Sequence, residues 1–471
     1  MNTRHSGERG ISILGVFLAV VIVCVAALLF VAYPRLEGEP PEVAFDRDFA
    51  YLDRSPDLQV TVQDPTGLKH VRVTLRQGEE EVVLADDSFD GPGLLSPGGI
   101  GEEKSRTYDL GALISEKHKI QEGPARLEIS TSDYSLRGWL RGNQAALVRE
   151  FAFDLYPPRL EVLSGQHYIG QGGSELVVYR VAEDAMTSGV QVGPHFFRGY
   201  PAGLDDPGVH FALFAFSYAL PVETRVQVVA RDAAGNESVA EPWYRVSPGA
   251  FRSREIEVDD AFMRKVVSEI LSYTPDIEDQ GDLLSTYVEI NSTLRTRNHE
   301  TIRELSAESG GEFLWDGAFL QLSNSQVESL FADRRTYVYQ GEPVDQQDHV
   351  GFDLSVVERY PIEAANAGRV ILADYFGIYG NTVLIDHGAG LVSLYGHMSS
   401  IDVEVGQDVR KSEVLGRSGA TGLAGGDHLH FGLFLQGVPV NPIEWWDAHW
   451  IEDHVLGRLA LAREVVAEAG D

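Results

Sequence analysis

From residue 42 to residue 248, apolar and polar side chains alternate in short runs, a period of two that only a strand with one buried face satisfies. Leu58–Gln63 (LQVTVQ), His70–Leu75 (HVRVTL), Ala125–Ser130 (ARLEIS) and Val226–Ala230 (VQVVA) are examples. Gly, Pro, Asp and Ser separate the runs, as expected for antiparallel β-sandwiches. Tyr156-Pro157-Pro158 breaks the pattern midway, because two prolines cannot occupy a central strand. The expectation is therefore two sandwiches, 42–156 and 157–248, after an acidic, proline-containing linker at Leu36–Glu42 (LEGEPPE).

Arg231–Ser238 (RDAAGNES) resembles the last hairpin turn of bacterial immunoglobulin-like modules, which implies that class of sandwich. The period then changes. Phe262, Val266, Ile270 and Leu271 share one helical face, as do Leu284, Tyr287, Val288 and Leu294, so 249–340 reads as a helical linker region. A spacer packed on a neighbour accounts for it better than a partner-binding element. At the other end of the chain, Ile11 to Tyr33 carries no charge and is long enough to span a hydrocarbon core of about 30 Å. Arg4 and Arg9 precede it, placing residues 1–10 in the cytoplasm and the body on the far side of the membrane. A signal peptide has an apolar core of about 7–15 residues and a small-residue cleavage site. With no Ala-x-Ala pattern here, 11–33 is expected to stay as a transmembrane signal anchor.

With 71 acidic against 38 basic residues, the net charge of −33 argues against nucleic-acid binding, which needs a basic stripe. The lone cysteine, Cys24, excludes an intrachain disulfide.

Glycine turns and strand-like runs return from 341 to 450, followed by a helical tail at 451–471, and this glycine-rich domain holds the chemistry. In His428–Leu435 (HLHFGLFL), His428 and His430 fall on one face of a strand and Leu429, Phe431 and Leu433 on the other. In His349–Val356 (HVGFDLSV), His349, Gly351 and Asp353 are likewise expected on one face of one strand, with Gly351 leaving open space. Imidazole and carboxylate suit zinc at about 2.0–2.2 Å, and three protein ligands plus water is the catalytic arrangement. In the third element, Tyr395-Gly396-His397-Met398, an apolar strand ends in a fourth histidine. Singly each element is weak; together they place four histidines and an aspartate in one small domain.

The order H-x-x-x-D, Y-x-H, H-x-H resembles the lysostaphin-like, LytM-type zinc endopeptidases that act on peptidoglycan. Pro361–Gly368 (PIEAANAG), Tyr379–Asn381 (YGN), Asp386–Gly390 (DHGAG) and Val405–Gly422 match further, so the resemblance covers residues 341–442. It implies that His349, Asp353 and His430 bind Zn2+ and that His397 and His428 are unliganded catalytic histidines. One would take a proton from the metal-bound water and the other would donate to the oxyanion, with the assignment between them open. It also implies peptidoglycan stem peptides as substrate, and with the anchor an inner-membrane protein whose body lies in the periplasm. The alternative is a non-catalytic activator of the wall machinery, with cell-division or envelope proteins as partners; members of that kind lose metal ligands, and none of the five residues is missing here. His387 matches a family position that is not a ligand. His449, His454 and the histidines of the sandwich region read as surface residues, and Glu444–Asp447 (EWWD) as a segment that closes the domain. The expected architecture is thus mainly β: an N-terminal transmembrane helix, two immunoglobulin-like β-sandwiches, a small helical insert and a C-terminal antiparallel β-sheet peptidase domain.

Overall fold

A computed structural model describes residues 13–91, 101–135 and 141–470; residues 1–10, read as a cytoplasmic N-terminus, lie outside the described residues. Helix α1 (Ile13–Ala32) is uncharged, and it is long and apolar enough to cross a membrane, a property that spans and signal sequences share. The fold is mainly β, and it divides into two units, Met1–Pro157 with Asp232–Asn236 and Pro158–Arg231 with Glu237–Asp471.

In the first unit a five-stranded sheet and a three-stranded sheet share one core. Its strands follow the alternation in the sequence: Val60 and Val62 are wholly buried, Thr61 between them is half-buried, and the flanking Gln59 and Gln63 are exposed.

The second unit begins with two four-stranded sheets. One contains β1 (Ser174–Val181), paired antiparallel with β2 (Val209–Ala215). In the other, Val226–Asp232 pairs antiparallel with Glu237–Ala240 around the RDAAGNES turn. Three helices follow: α2 (Asp260–Tyr273), α3 (Leu283–Glu289) and, after a π-turn at Ile290–Leu294, α4 (Arg295–Ala307). Asp259 caps α2, its Oδ1 accepting from Phe262 N at 2.8 Å. The helical face is rotated slightly from expectation: Met263, Val266, Val267 and Ile270 are buried, whereas Phe262 and Leu271 are only partly so.

Strands flank these helices. β3 (Ser253–Glu257) pairs in parallel with β4 (Asp333–Tyr339), and β4 pairs antiparallel with β5 (Glu342–His349). The largest sheet is antiparallel and has at its centre β6 (Phe352–Ser355), β9 (Leu429–Leu435), β8 (Leu391–Met398) and β7 (Asn381–Asp386), in the spatial order β6-β9-β8-β7. Every residue of β8 and β9 is buried, because both faces of this sheet are covered.

The C-terminal segment closes the unit, as the EWWD run suggests. Trp445 packs among Trp315 and Phe319, ring centroids 5.5 Å from each. Glu444 reaches β1, its Oε2 accepting from Ser174 N (2.7 Å) and Ser174 Oγ (3.0 Å), and its Oε1 so close to Gly173 that a Cβ there would collide. Next to it the buried Glu175 accepts from Arg458 Nε at 2.8 Å and lies 2.9 Å from His454 Nδ1. His454 is therefore no free surface residue. His167 and His118 are buried as well, His167 between Ser164 Oγ and the Trp243 carbonyl. Only His449 of this group is exposed as expected among those named.

Candidate metal centre

The run His349–Val356 is not one strand. His349 ends β5 in one sheet and Asp353 lies on β6 in another, with the chain turning at Val350-Gly351. Gly351 makes the change of sheet feasible: a Cβ there would lie 2.5 Å from Phe431 O and 2.8 Å from His430 Nε2. The register then does the rest. Asp353 stands opposite His430 across β6 and β9, and His430 stands opposite Gly396 across β9 and β8.

His349 Nδ1 donates to the Leu330 carbonyl at 2.9 Å, which fixes the tautomer and turns the Nε2 lone pair inward. There His349 Nε2 is 2.9 Å from Asp353 Oδ1 and 3.0 Å from His430 Nδ1, and the last two atoms are 3.0 Å apart. A lone-pair nitrogen, a carboxylate oxygen and a second imidazole nitrogen thus form a triangle on the floor of a buried site. Atoms about 2.0–2.2 Å from a common tetrahedral ion stand about 3.3 Å apart, so this donor set can hold a divalent metal ion with little movement. The second oxygen, Asp353 Oδ2, accepts from Arg335 Nη2 at 2.7 Å, leaving Oδ1 turned to the histidines.

His397 and His428 stand beside the triangle. His397 falls in a β-bulge where β8 passes β7, and its φ of 62° is in the left-handed region that non-glycine residues seldom adopt. Such strain gathers at sites where one side chain must be re-aimed. The His397 and His428 rings lie 4.8 Å apart. Each Nδ1 donates to a main-chain carbonyl, Thr421 at 2.9 Å and Gly426 at 2.8 Å, so both present Nε2 to the site.

The electrostatics separate the histidines. Burial pushes Asp353 up, but His349, His428 and His430 outweigh it and hold the carboxyl well below its ordinary value. Burial pushes His430 down to about 4 and, together with the neighbouring histidines, holds His397 well below the usual imidazole range. For His428 burial is outweighed by Asp353, and its basicity is raised. His387, which resembles no ligand position, is a satisfied core residue bonded to Ala367 O and Ser393 Oγ, both at 2.7 Å.

All five expected residues open on one cavity of about 390 Å³. Sequence reasoning missed what the former linker region adds to its walls: Arg335 from β4, Tyr287 from α3 and Arg295 from α4. The one available signal was the polar–aromatic alternation of Arg335, Tyr337 and Tyr339 in a segment read as helical.

Residues 347–442 match the model of Peptidase family M23. Over 95 residues the chain is 38% identical to the DD-carboxypeptidase/endopeptidase Mpg of Neisseria meningitidis serogroup B, covering 20% of this chain and 22% of that protein. It is 39% identical over 95 residues to the murein hydrolase activator EnvC of Escherichia coli K12, covering 20% and 23%. The chain thus spans about a fifth of the length of these curated relatives. Among solved structures, a putative peptidase M23 from Pseudomonas aeruginosa aligns with 59% of this chain and 95% of its own, at 20% identity and a TM-score of 0.35.

Proposed function

We propose, from the premise that the C-terminal part of this chain is a Peptidase family M23 domain, that it is a zinc endopeptidase cutting peptide cross-links of peptidoglycan. The observation that carries the reading is the triangle of His349 Nε2, Asp353 Oδ1 and His430 Nδ1 with two further imidazole Nε2 atoms beside it. Two nitrogens and one carboxylate oxygen suit zinc, and a three-residue set leaves room for water. The fit is supported by the fixed tautomer of His349, whose Nδ1–H donates to the Leu330 carbonyl and leaves the Nε2 lone pair on the triangle.

His349, Asp353 and His430 would hold the ion, which when bound supplies an acidified water and a Lewis acid for the scissile carbonyl. The chain's own residues do the rest. Arg335 keeps the Asp353 carboxylate in one orientation. Thr421 O and Gly426 O hold His397 and His428 with Nε2 toward the cavity, where one ring accepts a proton and the other, protonated, donates to the carbonyl oxygen or the departing amine. The burial of His349, Asp353, His397 and His430 lowers the local dielectric and so strengthens these interactions. The apolar helix α1, preceded by Arg4 and Arg9, would anchor the chain in the inner membrane with its body in the periplasm.

The likeness to EnvC in the same segment makes a non-catalytic activator the second reading. Metal content and muropeptide cleavage by the full chain in detergent, beside His430→Ala, separate the two. One zinc per chain, with cross-linked dimers converted to monomers only by the unaltered protein, supports the peptidase. Absence of metal and of cleavage would leave the activator.

A further inference from the structure

The first unit holds a second group of ligand-type side chains, separate from the histidine centre. Glu37 follows the short helical turn Tyr33–Leu36 that succeeds α1, Asp64 follows the strand Gln59–Gln63, and Asp133 ends the strand Gly123–Asp133. Each brings one carboxylate oxygen within 4.8 Å of those of the other two. Asp133 is wholly buried and Asp64 is 2% exposed, and among the described residues no basic side chain pairs with any of the three. Asp133 has its donors: Oδ1 accepts from Ser135 N (2.9 Å) and Asn143 N (2.7 Å), and Oδ2 from Asn143 Nδ2 (2.8 Å). Asp64 does not. Its Oδ1 accepts from Thr66 N (2.8 Å) and Thr66 Oγ1 (2.7 Å), while Oδ2 is buried with no partner. Asn143 Nδ2 also faces Glu37 Oε1 (2.9 Å), Glu39 O (3.2 Å) and Glu37 O (3.4 Å), so its two hydrogens meet four oxygens. Acceptors therefore outnumber donors in this group. Buried charges are normally paired or bound to a metal, and three carboxylates at this spacing repel one another strongly where the dielectric is low.

We infer that Glu37, Asp64, Asp133 and Asn143 bind one calcium ion, which fastens the segment after α1 to the first sandwich. The inference is independent of the peptidase reading. A site made of oxygens alone selects a hard cation rather than zinc. Oxygens at about 2.3–2.6 Å from calcium stand up to about 5 Å apart across it, which the spacing of the three carboxylates meets. At that distance the ion lies closer than a water molecule would, so Asp64 Oδ2 can touch it without any surface open to solvent. Calcium accepts carboxylates, amide oxygens and main-chain carbonyls alike, and this group offers all three, with Glu37 O and Glu39 O as the carbonyls. Turning the Asn143 amide over would bring Oδ1 to the ion and release Asp133 Oδ2 and Glu37 Oε1 to join it. Such irregular ligands suit calcium better than magnesium, which demands a near-ideal octahedron. Glu37 O already accepts from Ser135 Oγ at 2.8 Å, across 98 positions of chain, so the ion reinforces a contact that exists without it. The joint beside α1 would then be stiff where calcium is plentiful and loose where it is scarce.

The experiment uses the full chain in detergent, given zinc, dialysed free of calcium and then titrated with calcium chloride in a calorimeter. One calcium per chain is expected, with a dissociation constant of about 10⁻⁴–10⁻³ M, as in extracellular modules, and binding of magnesium at least tenfold weaker. Asp64→Asn keeps an oxygen for Thr66, and Glu37→Gln alters a half-buried side chain; each should weaken calcium binding at least tenfold. His430→Ala, which disables the histidine centre, should bind calcium as the parent does. If Asp64→Asn does not fold, Glu37→Gln decides. No saturable heat in the millimolar range would overturn the site. Binding lost in His430→Ala but kept in Asp64→Asn would overturn it as well, by placing the ion among the histidines. Unchanged affinity in Glu37→Gln would remove the tie to the segment after α1, and equal affinity for magnesium would remove the choice of calcium.

Discussion

Glu444 supplies a stability test that can be worked out in advance. Its carboxyl is partly buried against glycine and bonded to Ser174, and burial, with the neighbouring Glu175, pushes it up from 4.5 to about 7. Between those two values the folded chain keeps a proton that the unfolded chain has released, so stability must fall as pH rises. The contribution is fully present below about pH 4.5 and is lost by pH 7 and above. Over that interval, at about 1.4 kcal/mol per pH unit, the loss totals about 3 kcal/mol. Glu444→Gln keeps an oxygen for Ser174 and cannot ionise, so it removes this term alone. Urea unfolding of the full chain in detergent, followed by tryptophan fluorescence from pH 5 to 8, measures it, since Trp445 and Trp315 are buried nearby. The variant should exceed the parent by about 1 kcal/mol at pH 5 and by about 3 kcal/mol at pH 8, all other titrating groups cancelling in the comparison. Parallel curves across the range would show that the carboxyl titrates as it does in water and would refute the reasoning.

Other tests address the centre and its supports. Arg335→Gln should weaken zinc binding about 10–100-fold in a chelator competition, because Asp353 loses the donor that orients it; unchanged affinity would make Arg335 irrelevant to the metal. Chelation should lower the melting temperature of the parent but not of His430→Ala, since an ion bound only to the folded state stabilises it. Arg458→Met leaves Glu175 buried without its guanidinium partner and should cost about 3–5 kcal/mol in the same urea assay. A loss below 1 kcal/mol would mean that water reaches Glu175.

The strand regions were legible because an alternation of Val60 and Val62 with Gln59 and Gln63 has one low-energy solution, a half-buried strand. The His428–His430 pair was legible for the same reason: the register of β9 follows from its leucines and phenylalanines. What failed depended on distant atoms. No local pattern reveals that Gly351 approaches Phe431 O, so one expected strand is two. His454 was read as a surface residue because its partner, Glu175, is 279 positions away. Arg335 escaped notice for a similar reason, as it acquires meaning only when β4 brings it to Asp353. Local spacing therefore found the residues of one small domain and missed those that the preceding region contributes.

His349 and Asp353 belong to strands of separate sheets, and this has a consequence for timing. Neither sheet alone holds the three-atom triangle, so the centre comes into being only when the two have docked. A chain still emerging from a translocation channel, with β5 formed and β9 yet to arrive, has no place for the ion. If the body is exported as proposed, the newborn protein would pass through the membrane unarmed. It would acquire its cutting edge only once β9 has arrived and the two sheets have docked, on the side where the wall is.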